Sequence, residues 1–301
     1  MKILNLFLAL SIISLKASAE QTPLPSTKKV ALITGASSGI GLAAAHAFQQ
    51  NGWKVFAGYF PNKPEPLSSH ENITFVPLDI TDEQNIKTAV EAIVKEDGKI
   101  NVLINNAGCC VLGPEECVTI EEAQHVFNVN FFGTLRMIQA VLPTMRHQQS
   151  GHIITLSSIT GIQALPGVGI YSASKFALEG LHESLAATVS PWNIKVSLVE
   201  PHFVNTAFGK NCAIGSRPCD EAICKKITQE IVKTITHAMP QGQSPDEVAE
   251  LLVTIATTPH PDFRYQSSPT VTKLVAKKLV DPTGNSSKDE AVKSVQRMIK
   301  R

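Results

Sequence analysis

This sequence has almost no excess of positive over negative charge. It contains 27 lysines and arginines and 26 aspartates and glutamates, which gives a formal net charge of +1. No long run of like charge departs from that balance, so the chain lacks the basic surface that nucleic-acid binding requires. We therefore expect no nucleic-acid partner and a small molecule as the ligand.

Cysteine is also scarce, with six residues in 301. Their spacing fits neither a metal-binding motif nor a dense disulfide scaffold, so no metal site is predicted. Cys212, Cys219 and Cys224 fall in one polar region, and the sequence leaves their redox state open.

Long hydrophobic runs are limited to the N-terminus. Lys2 precedes an apolar stretch at 3–15, and Ala-Ser-Ala follows at 17–19. This pattern is typical of a signal peptide and is short for a transmembrane helix, so we predict export or membrane association through residues 1–19, with cleavage after Ala19. An uncleaved hydrophobic anchor is the alternative. Residues 20–28 are predicted as a linker, 29–282 as one folded domain and 283–301 as a solvated tail.

The folded domain is predicted to begin with an apolar strand at 30–33, a glycine-rich turn and an alanine-rich helix. Glycines in such a turn let a phosphate approach the backbone, and the free amides of the helix N-terminus point at it. The spacing Gly-x-x-x-Gly-x-Gly differs from the commoner Gly-x-Gly-x-x-Gly, yet the flanking strand and helix favour a dinucleotide site over an ordinary turn. The residues predicted to contact the cofactor here are Gly35, Ser37, Ser38, Gly39, Ile40 and Gly41.

Strand and helix patterns then alternate along the chain. Further apolar strands are predicted at 54–57, 73–78, 102–104, 153–156 and 194–199, with 263–265 as a last edge strand. Capping boxes predict helix starts at Thr81/Gln84, Thr119/Glu122 and Ser244/Glu247. Strict alternation predicts an α/β fold with a doubly wound parallel sheet, the Rossmann fold, in a single domain.

Polar groups follow the predicted strands at the points where the strands end. Ligands of open parallel sheets bind at these carboxyl ends. The groups concerned are the Gly35 turn, Asp79, Asn105, Ser158 and Pro201. Their shared position predicts an active site along this edge of the sheet.

Tyr171 and Lys175 lie four residues apart at the start of a helical pattern, so they share a face. A nearby cation favours the phenolate and should lower the pKa of the tyrosine toward the range of a general acid or base. Ser158, at the end of a predicted strand, is placed to hold a substrate oxygen against the phenol. Taken alone, the pair also fits an amphipathic tyrosine beside a solvated lysine.

Five ordered motifs together resemble the classical short-chain dehydrogenase/reductase family. They are Thr34–Gly41, Asn105-Asn106-Ala107-Gly108, Asn130, Ser158 and Tyr171-x-x-x-Lys175. Within the family, residues 128–137 and 174–181 resemble the hydroxysteroid and retinol dehydrogenase branch. The resemblance implies an NAD(P)-dependent oxidoreductase that interconverts an alcohol and a carbonyl on an apolar, steroid-, retinoid- or lipid-like molecule. The alternative is a catalytically silent nucleotide-binding sensor or scaffold.

The resemblance also implies a role for each residue. Tyr171 would exchange the proton with the substrate oxygen and Ser158 would orient that oxygen. Lys175 would lower the Tyr171 pKa and bind the nicotinamide ribose, and Asn130 would hold a water. Cofactor contacts are implied for Asp79, Ile80, Asn106, Ala107, Gly108, Tyr171, Lys175, Val204 and Thr206. Asp79, Asn130 and Thr206 also fit structural roles, as a strand-end cap, a core amide and a helix cap.

Two departures from the family pattern bear on the cofactor. Pro201 is followed by His202 where the family usually has glycine, and Tyr59 and Phe60 stand where an acidic residue would bind the ribose of NAD. Without a carboxylate there, and with Lys63 in reach of a 2′-phosphate, we predict NADP. No basic residue lies inside the glycine turn, so NAD is the alternative.

Residues 202–243 form a long, cysteine-rich insertion that we predict to be a mobile lid over the site. The family resemblance implies a homodimer or homotetramer assembled through the two long helices. A nicotinamide enzyme needs a compartment that supplies its cofactor, which makes the cytoplasm the alternative to the location predicted from the N-terminus.

Overall fold

The computed structural model describes residues 28–60, 70–219 and 222–280, with the single residues 293, 296, 297 and 300. The predicted signal segment, Lys63, and all but one residue of the predicted linker lie outside the described residues. So does most of the predicted tail.

Nine strands are present in the described part of the chain. In chain order they are β1 (Val30–Ile33), β2 (Lys54–Tyr59), β3 (Ile73–Pro77), β4 (Val102–Asn105), β5 (Val111–Leu112), β6 (Gly151–Leu156), β7 (Ile194–Glu200), β8 (Ala213–Ile214) and β9 (Arg264–Gln266). Seven of them form one sheet in the order β3-β2-β1-β4-β6-β7-β9, and every pairing is parallel. The predicted doubly wound parallel sheet is confirmed, including its edge strand near residue 264.

Helices cover both faces of this sheet. They are α1 (Gly39–Gln50), α2 (Glu83–Asp97), α3 (Ile120–Phe127), α4 (Thr134–Gln148), α5 (Gly169–Val189), α6 (Phe208–Asn211), α7 (Ala222–Ala238), α8 (Pro245–Thr257) and α9 (Pro269–Val280). A π-helical turn, Asn128–Gly133, joins α3 to α4. No helix in the described ranges is long and apolar enough to cross a bilayer.

The core is divided into two apolar layers by the sheet. Ala31 and Ile33 of β1 face the layer formed with α1 and α8, whereas Val30 and Leu32 face the layer formed with α2 and α4. All four are fully buried, as expected of a strand whose successive side chains point to opposite, covered faces. Burial of the larger side chains of Val30, Leu32 and Ile33 contributes about 1.5–3 kcal/mol each.

Two of the three predicted capping boxes are present, at Thr119/Glu122 and Ser244/Glu247. The third is wrong. The side chain of Asp82 caps α2 by accepting from the amides of Gln84 and Asn85, at 2.8 and 3.1 Å. The Thr81 hydroxyl instead donates to the Asp79 carboxylate at 2.7 Å. Because it is bonded to Asp79, the Thr81 side chain does not cap α2.

The predicted lid segment contains regular structure: α6, β8 and α7, which we call the cap. Both ends of the segment meet at one point, because the Asn205 amide donates to the Gln243 carbonyl and the Gln243 amide to the Phe203 carbonyl. In α7, Ile227, Ile231 and Ile235 recur every four residues and pack against the cluster that contains Val168. This apolar helical face explains why the segment folds onto the domain rather than forming an irregular loop.

Candidate active site

The glycine-rich turn between β1 and α1 is packed directly against the end of β4. Gly35 and Gly39 have φ values of 64° and 56°, a left-handed conformation that glycine adopts without strain. The Asn106 side chain donates to the carbonyls of Thr34 and Gly35, at 2.9 and 3.1 Å. A Cβ on Gly41 would lie 2.4 Å from the Gly35 carbonyl oxygen, so only glycine fits there.

Thr34 holds the two loops together, a role that sequence reasoning missed. Its hydroxyl oxygen accepts hydrogen bonds from the amides of Asn106 and Ala107, both at 3.0 Å. Its position directly before the first glycine was the only signal. The predicted cofactor residues of the two motifs, 35–41 and 106–108, therefore form one continuous structure.

The N-terminus of α1 has the features of an anion site. Ser38 stands at the N-cap in an extended conformation, and its side chain makes no capping hydrogen bond. The amides of the first helical turn are therefore not capped by this side chain, and they fit a phosphate group. Thr206, distant in sequence, lies beside this turn, since a Cβ on Gly39 would be 3.2 Å from its methyl carbon.

The side chains of three other predicted cofactor residues are partly or fully buried. Asp79 is half-exposed, and one of its oxygens accepts from the amide and hydroxyl of Thr81, so it also acts as a strand-end cap. Ile80 is buried against Gly133, where a Cβ would approach its side chain to 2.7 Å. Val204 is buried in the layer with α1 and α8, so its side chain is not accessible to a ligand.

Asn130 lies in the π-helical turn and is fully buried. Its side-chain oxygen accepts from the Cys109 amide at 2.8 Å, and its side-chain amide donates to the Cys109 carbonyl and to the Ser174 hydroxyl, at 3.0 and 2.9 Å. The side chain thus uses both of its hydrogens within the protein, so a water would have to donate to Asn130 rather than accept from its side chain. The residue joins the loop after β4 to α5.

Ser158, Tyr171 and Lys175 converge at the ends of β6 and α5. The Lys175 ammonium donates to the Leu156 carbonyl at 2.7 Å and lies 5.6 Å from the centre of the Tyr171 ring. The Ser158 hydroxyl donates to the Pro201 carbonyl at 3.4 Å and accepts from the Thr160 amide at 3.1 Å. It also stands within hydrogen-bonding reach of Tyr171, where it favours the charged form of the phenol. These three of the four predicted catalytic side chains therefore share one site, with the serine beside the phenol.

The predicted lowering of the Tyr171 pKa by Lys175 is wrong in direction. Burial raises the pKa of Tyr171 above its ordinary value, and the hydrogen bond from Ser158 opposes only part of this rise. The Lys175 ammonium is directed toward the Leu156 carbonyl, and burial lowers the pKa of Lys175 to about 8. Loss of hydration is the dominant cause in both cases, because it disfavours each charged form.

Two buried glutamates lie next to the site, and no sequence motif predicted them. Glu179, one turn after Lys175, accepts from the Ser157 hydroxyl and from Arg264, the latter at 3.0 Å. Glu200 is fully buried 3.6 Å from the same guanidinium, and burial raises the pKa of both glutamates. Arg264 comes from the edge strand β9, so its partners are not recognisable before the sheet order is known.

His202 plays a local role in the loop after β7. Its Nδ1 accepts from the Phe203 amide at 2.7 Å, and burial lowers the pKa of the imidazole. The histidine therefore fixes the backbone at the position where the family pattern has glycine.

One group of possible ligands lies away from this site. Donor atoms of Glu116, Cys219 and Cys224 fall within 4.8 Å of one another on the rim of the cap. A groove of about 790 Å³, which Cys219 itself lines, is formed by Ile214 of β8, Arg217 of the segment after it, and residues of α7 such as Lys225. None of the predicted catalytic or cofactor residues lines it.

A doubly wound sheet, a glycine turn on a helix N-terminus, and a serine, tyrosine and lysine at the strand ends define a nicotinamide-dinucleotide oxidoreductase. The chain belongs to the short chain dehydrogenase family, whose model matches residues 29–215. It is accordingly an NAD(P)-dependent oxidoreductase that acts on CH–OH groups.

Named relatives cover most of the chain. A 3-ketodihydrosphingosine reductase of Bacteroides thetaiotaomicron is 37% identical over 249 residues, which are 83% of this chain and 91% of that protein. Retinol dehydrogenase 8 of Bos taurus is 34% identical over 275 residues, 85% of this chain and 87% of that protein. The human 17-beta-hydroxysteroid dehydrogenase type 1 is 34% identical over 279 residues, 86% and 83% of the two chains.

Solved structures agree with the fold. A short-chain dehydrogenase from Streptomyces avermitilis superposes with a TM-score of 0.73 at 29% identity, covering 90% of this chain and 99% of that one. ElxO with bound NADP gives a TM-score of 0.66 at 26% identity, covering 82% and 99%.

Replacing Gly41 by alanine should weaken dinucleotide binding while leaving the sheet intact, because the new Cβ would displace the Gly35 carbonyl or the Asn106 amide. We expect the dissociation constant for NADPH, measured by fluorescence titration, to rise about tenfold or more. Gly180→Ala is the matched control: Gly180 is an exposed helical glycine with open space around it, and alanine there should raise stability by about 1 kcal/mol. Unaltered affinity in Gly41→Ala would show that this turn does not hold the cofactor.

Proposed function

We propose that this protein interconverts an apolar alcohol and its carbonyl. Tyr171 exchanges the proton with the substrate oxygen, and Ser158 orients that oxygen. Lys175 and Asn130 fix the position of α5, and with it Tyr171. The convergence of Ser158, Tyr171 and Lys175 at the ends of β6 and α5 is the observation that carries this proposal. The nicotinamide cofactor, when bound, supplies or accepts the hydride.

The protonation state of Tyr171 supports this role. Its raised pKa keeps the phenol neutral near pH 7, and a neutral phenol donates a proton to a carbonyl oxygen. In the reverse direction the phenol must first release that proton, and the Ser158 hydrogen bond favours the released form. The Lys175 ammonium, fixed by the Leu156 carbonyl, places a positive charge beside the ring.

The surroundings of Tyr171 support an apolar substrate. The tyrosine belongs to a cluster whose other members are aliphatic, aromatic or thiol side chains, including Leu165, Val168, Phe208 and Ile231. The Phe208 ring, from the cap, lies 5.8 Å from the Tyr171 ring. The named relatives act on sphingoid, retinol and hydroxysteroid compounds, and lipid-like molecules of this kind fit such a lining.

Tyr171→Phe should reduce turnover by about 10² or more, because it removes the transferable proton and leaves the ring. Turnover is followed by NADPH absorbance with 3-ketodihydrosphingosine, retinal and estrone as substrates. Tyr265→Phe is the matched control. Tyr265 lies on the edge strand β9, and its hydroxyl accepts from the Asp262 amide at 2.7 Å. Full activity in Tyr171→Phe would refute the mechanism, and cofactor binding without turnover of any substrate would favour the silent sensor or scaffold.

We further propose that NADP is preferred over NAD. Tyr59 ends β2 and Phe60 follows it with 47% of its surface exposed, so neither supplies a carboxylate that would repel a 2′-phosphate. Wild-type protein should bind NADP at least about tenfold more tightly than NAD, and Tyr59→Asp should narrow or invert that ratio. Isothermal titration with both cofactors measures it, and tighter binding of NAD to the wild type would reverse the assignment.

For location, we propose that residues 1–19 direct the chain to an export or membrane route and that cleavage follows Ala19. The support is the order of Lys2, the apolar stretch and the Ala-Ser-Ala sequence. N-terminal sequencing of protein from its native cell should give Glu20 as the first residue. A soluble cytosolic protein that still begins with Met1 would contradict both export and anchoring.

For assembly, we propose a homodimer or homotetramer formed through the side of the molecule that carries α4 and α5. Phe132, in the π-helical turn before α4, is 46% exposed, and Phe176, in α5, is 43% exposed. Exposed aromatic side chains of this size are typical of a protein–protein contact. Phe176→Glu should shift the mass in light scattering toward the monomer, whereas the matched change Ile223→Glu on the cap should not. A wild-type monomer at micromolar concentration would exclude this assembly.

A further inference from the structure

All six cysteines fall into two short segments that the fold brings together. Cys109, Cys110 and Cys117 surround β5, and Cys212, Cys219 and Cys224 lie around β8 in the cap. β5 and β8 pair in parallel, separately from the main sheet. All six are described, and none of them is in a disulfide.

Cys110 and Cys212 are the residues directly before these two strands. The register pairs Val111 with Ala213, so the preceding cysteines lie opposite each other, and the Ala213 amide donates to the Cys110 carbonyl at 3.0 Å. Neighbouring strands are about 4.8 Å apart. This spacing lies within the range of about 4.4–6.8 Å between Cα atoms that a disulfide requires.

The two thiols also point to the same side. Cys110 and Cys212 occupy the same register position before paired parallel strands, and both belong to the apolar cluster around Tyr171. The Cys110 thiol donates to the Val111 carbonyl at 3.6 Å and the Cys212 thiol to the Phe208 carbonyl at 3.4 Å. Cys212 is half-exposed, and the neighbouring Cys110 thiol lowers the pKa of the Cys212 thiol, which favours the nucleophilic thiolate. Cys110 is buried behind it. The pair thus consists of an accessible attacking thiol and a resolving thiol.

A covalent link at this point would act on the substrate side of the active site. Cys212 directly follows α6, which contributes Phe208, and Phe208 lies against Tyr171. The β5–β8 ladder has only two residue pairs, and a ladder this short is marginal in water. A disulfide here would add a covalent restraint directly after α6, beside this short ladder.

We propose that Cys110 and Cys212 form a reversible disulfide that fixes α6 over Tyr171 and thereby closes the substrate entrance under oxidising conditions. The oxidant is a low-molecular-weight disulfide such as oxidised glutathione. The Cys212 thiolate attacks one of its sulfurs and releases a glutathione thiolate. Cys110, losing its proton to solvent, then attacks the Cys212 sulfur and releases the second glutathione thiolate. Two protein thiols are oxidised, and one disulfide is reduced to two thiols.

The bond is tested on the full-length chain incubated with oxidised glutathione, alkylated and mapped by mass spectrometry. We expect a peptide pair joined through Cys110 and Cys212, and about tenfold slower amide hydrogen exchange at 208–214. Cys212→Ser should show neither change, with Cys110→Ser as the second variant. Cys224→Ser, a matched change in the same segment outside the pair, should show both. Absence of the joined peptide, or unchanged exchange despite it, overturns the proposal.

The effect on turnover rests on the proposed function and is measured separately. Oxidation should reduce turnover of the wild type and of Cys224→Ser about tenfold, dithiothreitol should restore it, and Cys212→Ser should be unaffected. Full turnover in a chain carrying the disulfide would overturn closure of the entrance. A reduced chain that never turns over, yet forms the bond and slows its exchange, would instead count against the proposed function and leave the disulfide standing.

Discussion

The arrangement of the site depends on one buried cation, the Lys175 ammonium. A charge removed from water must find hydrogen-bond partners, and this one donates to the backbone carbonyl of Leu156 at the end of β6. That bond fixes the first turns of α5 against the sheet and so sets where Tyr171 stands relative to Ser158. Asn130 continues the same constraint, because it ties α5 at Ser174 to the loop after β4 at Cys109.

Burial of that cation extends to a second layer of charges. Glu179 lies one helical turn beyond Lys175 and is shared between Ser157, the neighbour of Ser158, and Arg264 of β9. The three-residue edge strand thus contributes more than a last hydrogen-bonded pairing, because its arginine neutralises carboxylates that β7 and α5 bury. Breaking one partner of such a cluster leaves a buried charge unpaired, which destabilises more than the loss of an exposed ion pair. The edge strand is therefore linked through Arg264 and Glu179 to Ser157, the residue before Ser158.

Local patterns were sufficient to predict the sheet and the residues at its carboxyl ends. Alternating apolar runs marked each strand of the sheet, and the glycine turn, Ser158, Tyr171 and Lys175 were all identified from short motifs. Three features did not follow from those patterns. The start of α2 depends on a choice between neighbouring side chains: Asp79 binds Thr81, and Asp82 caps the helix instead. The pKa of Tyr171 is raised by burial, which the spacing of Tyr171 and Lys175 does not reveal. Glu179 meets Arg264, 85 residues away, only because β9 pairs with β7 in the sheet.

The cap shows why the substrate side is built differently from the cofactor side. On the proposed cofactor side, Asn106 is hydrogen-bonded to Thr34 and Gly35 at 2.9–3.1 Å, which fixes the glycine turn against the loop after β4. The cap, by contrast, contacts the domain at three places. Its two ends are hydrogen-bonded to each other at Gln243, the apolar face of α7 packs against the cluster that contains Val168, and β8 pairs with β5 over two residues. A dinucleotide is the same in every turnover, so a rigid cradle suits it. On the proposed function the substrate binds beside α6, whose Phe208 ring lies 5.8 Å from the Tyr171 ring. The two-residue β5–β8 ladder adjoins α6, and Cys110 and Cys212 directly precede its two strands.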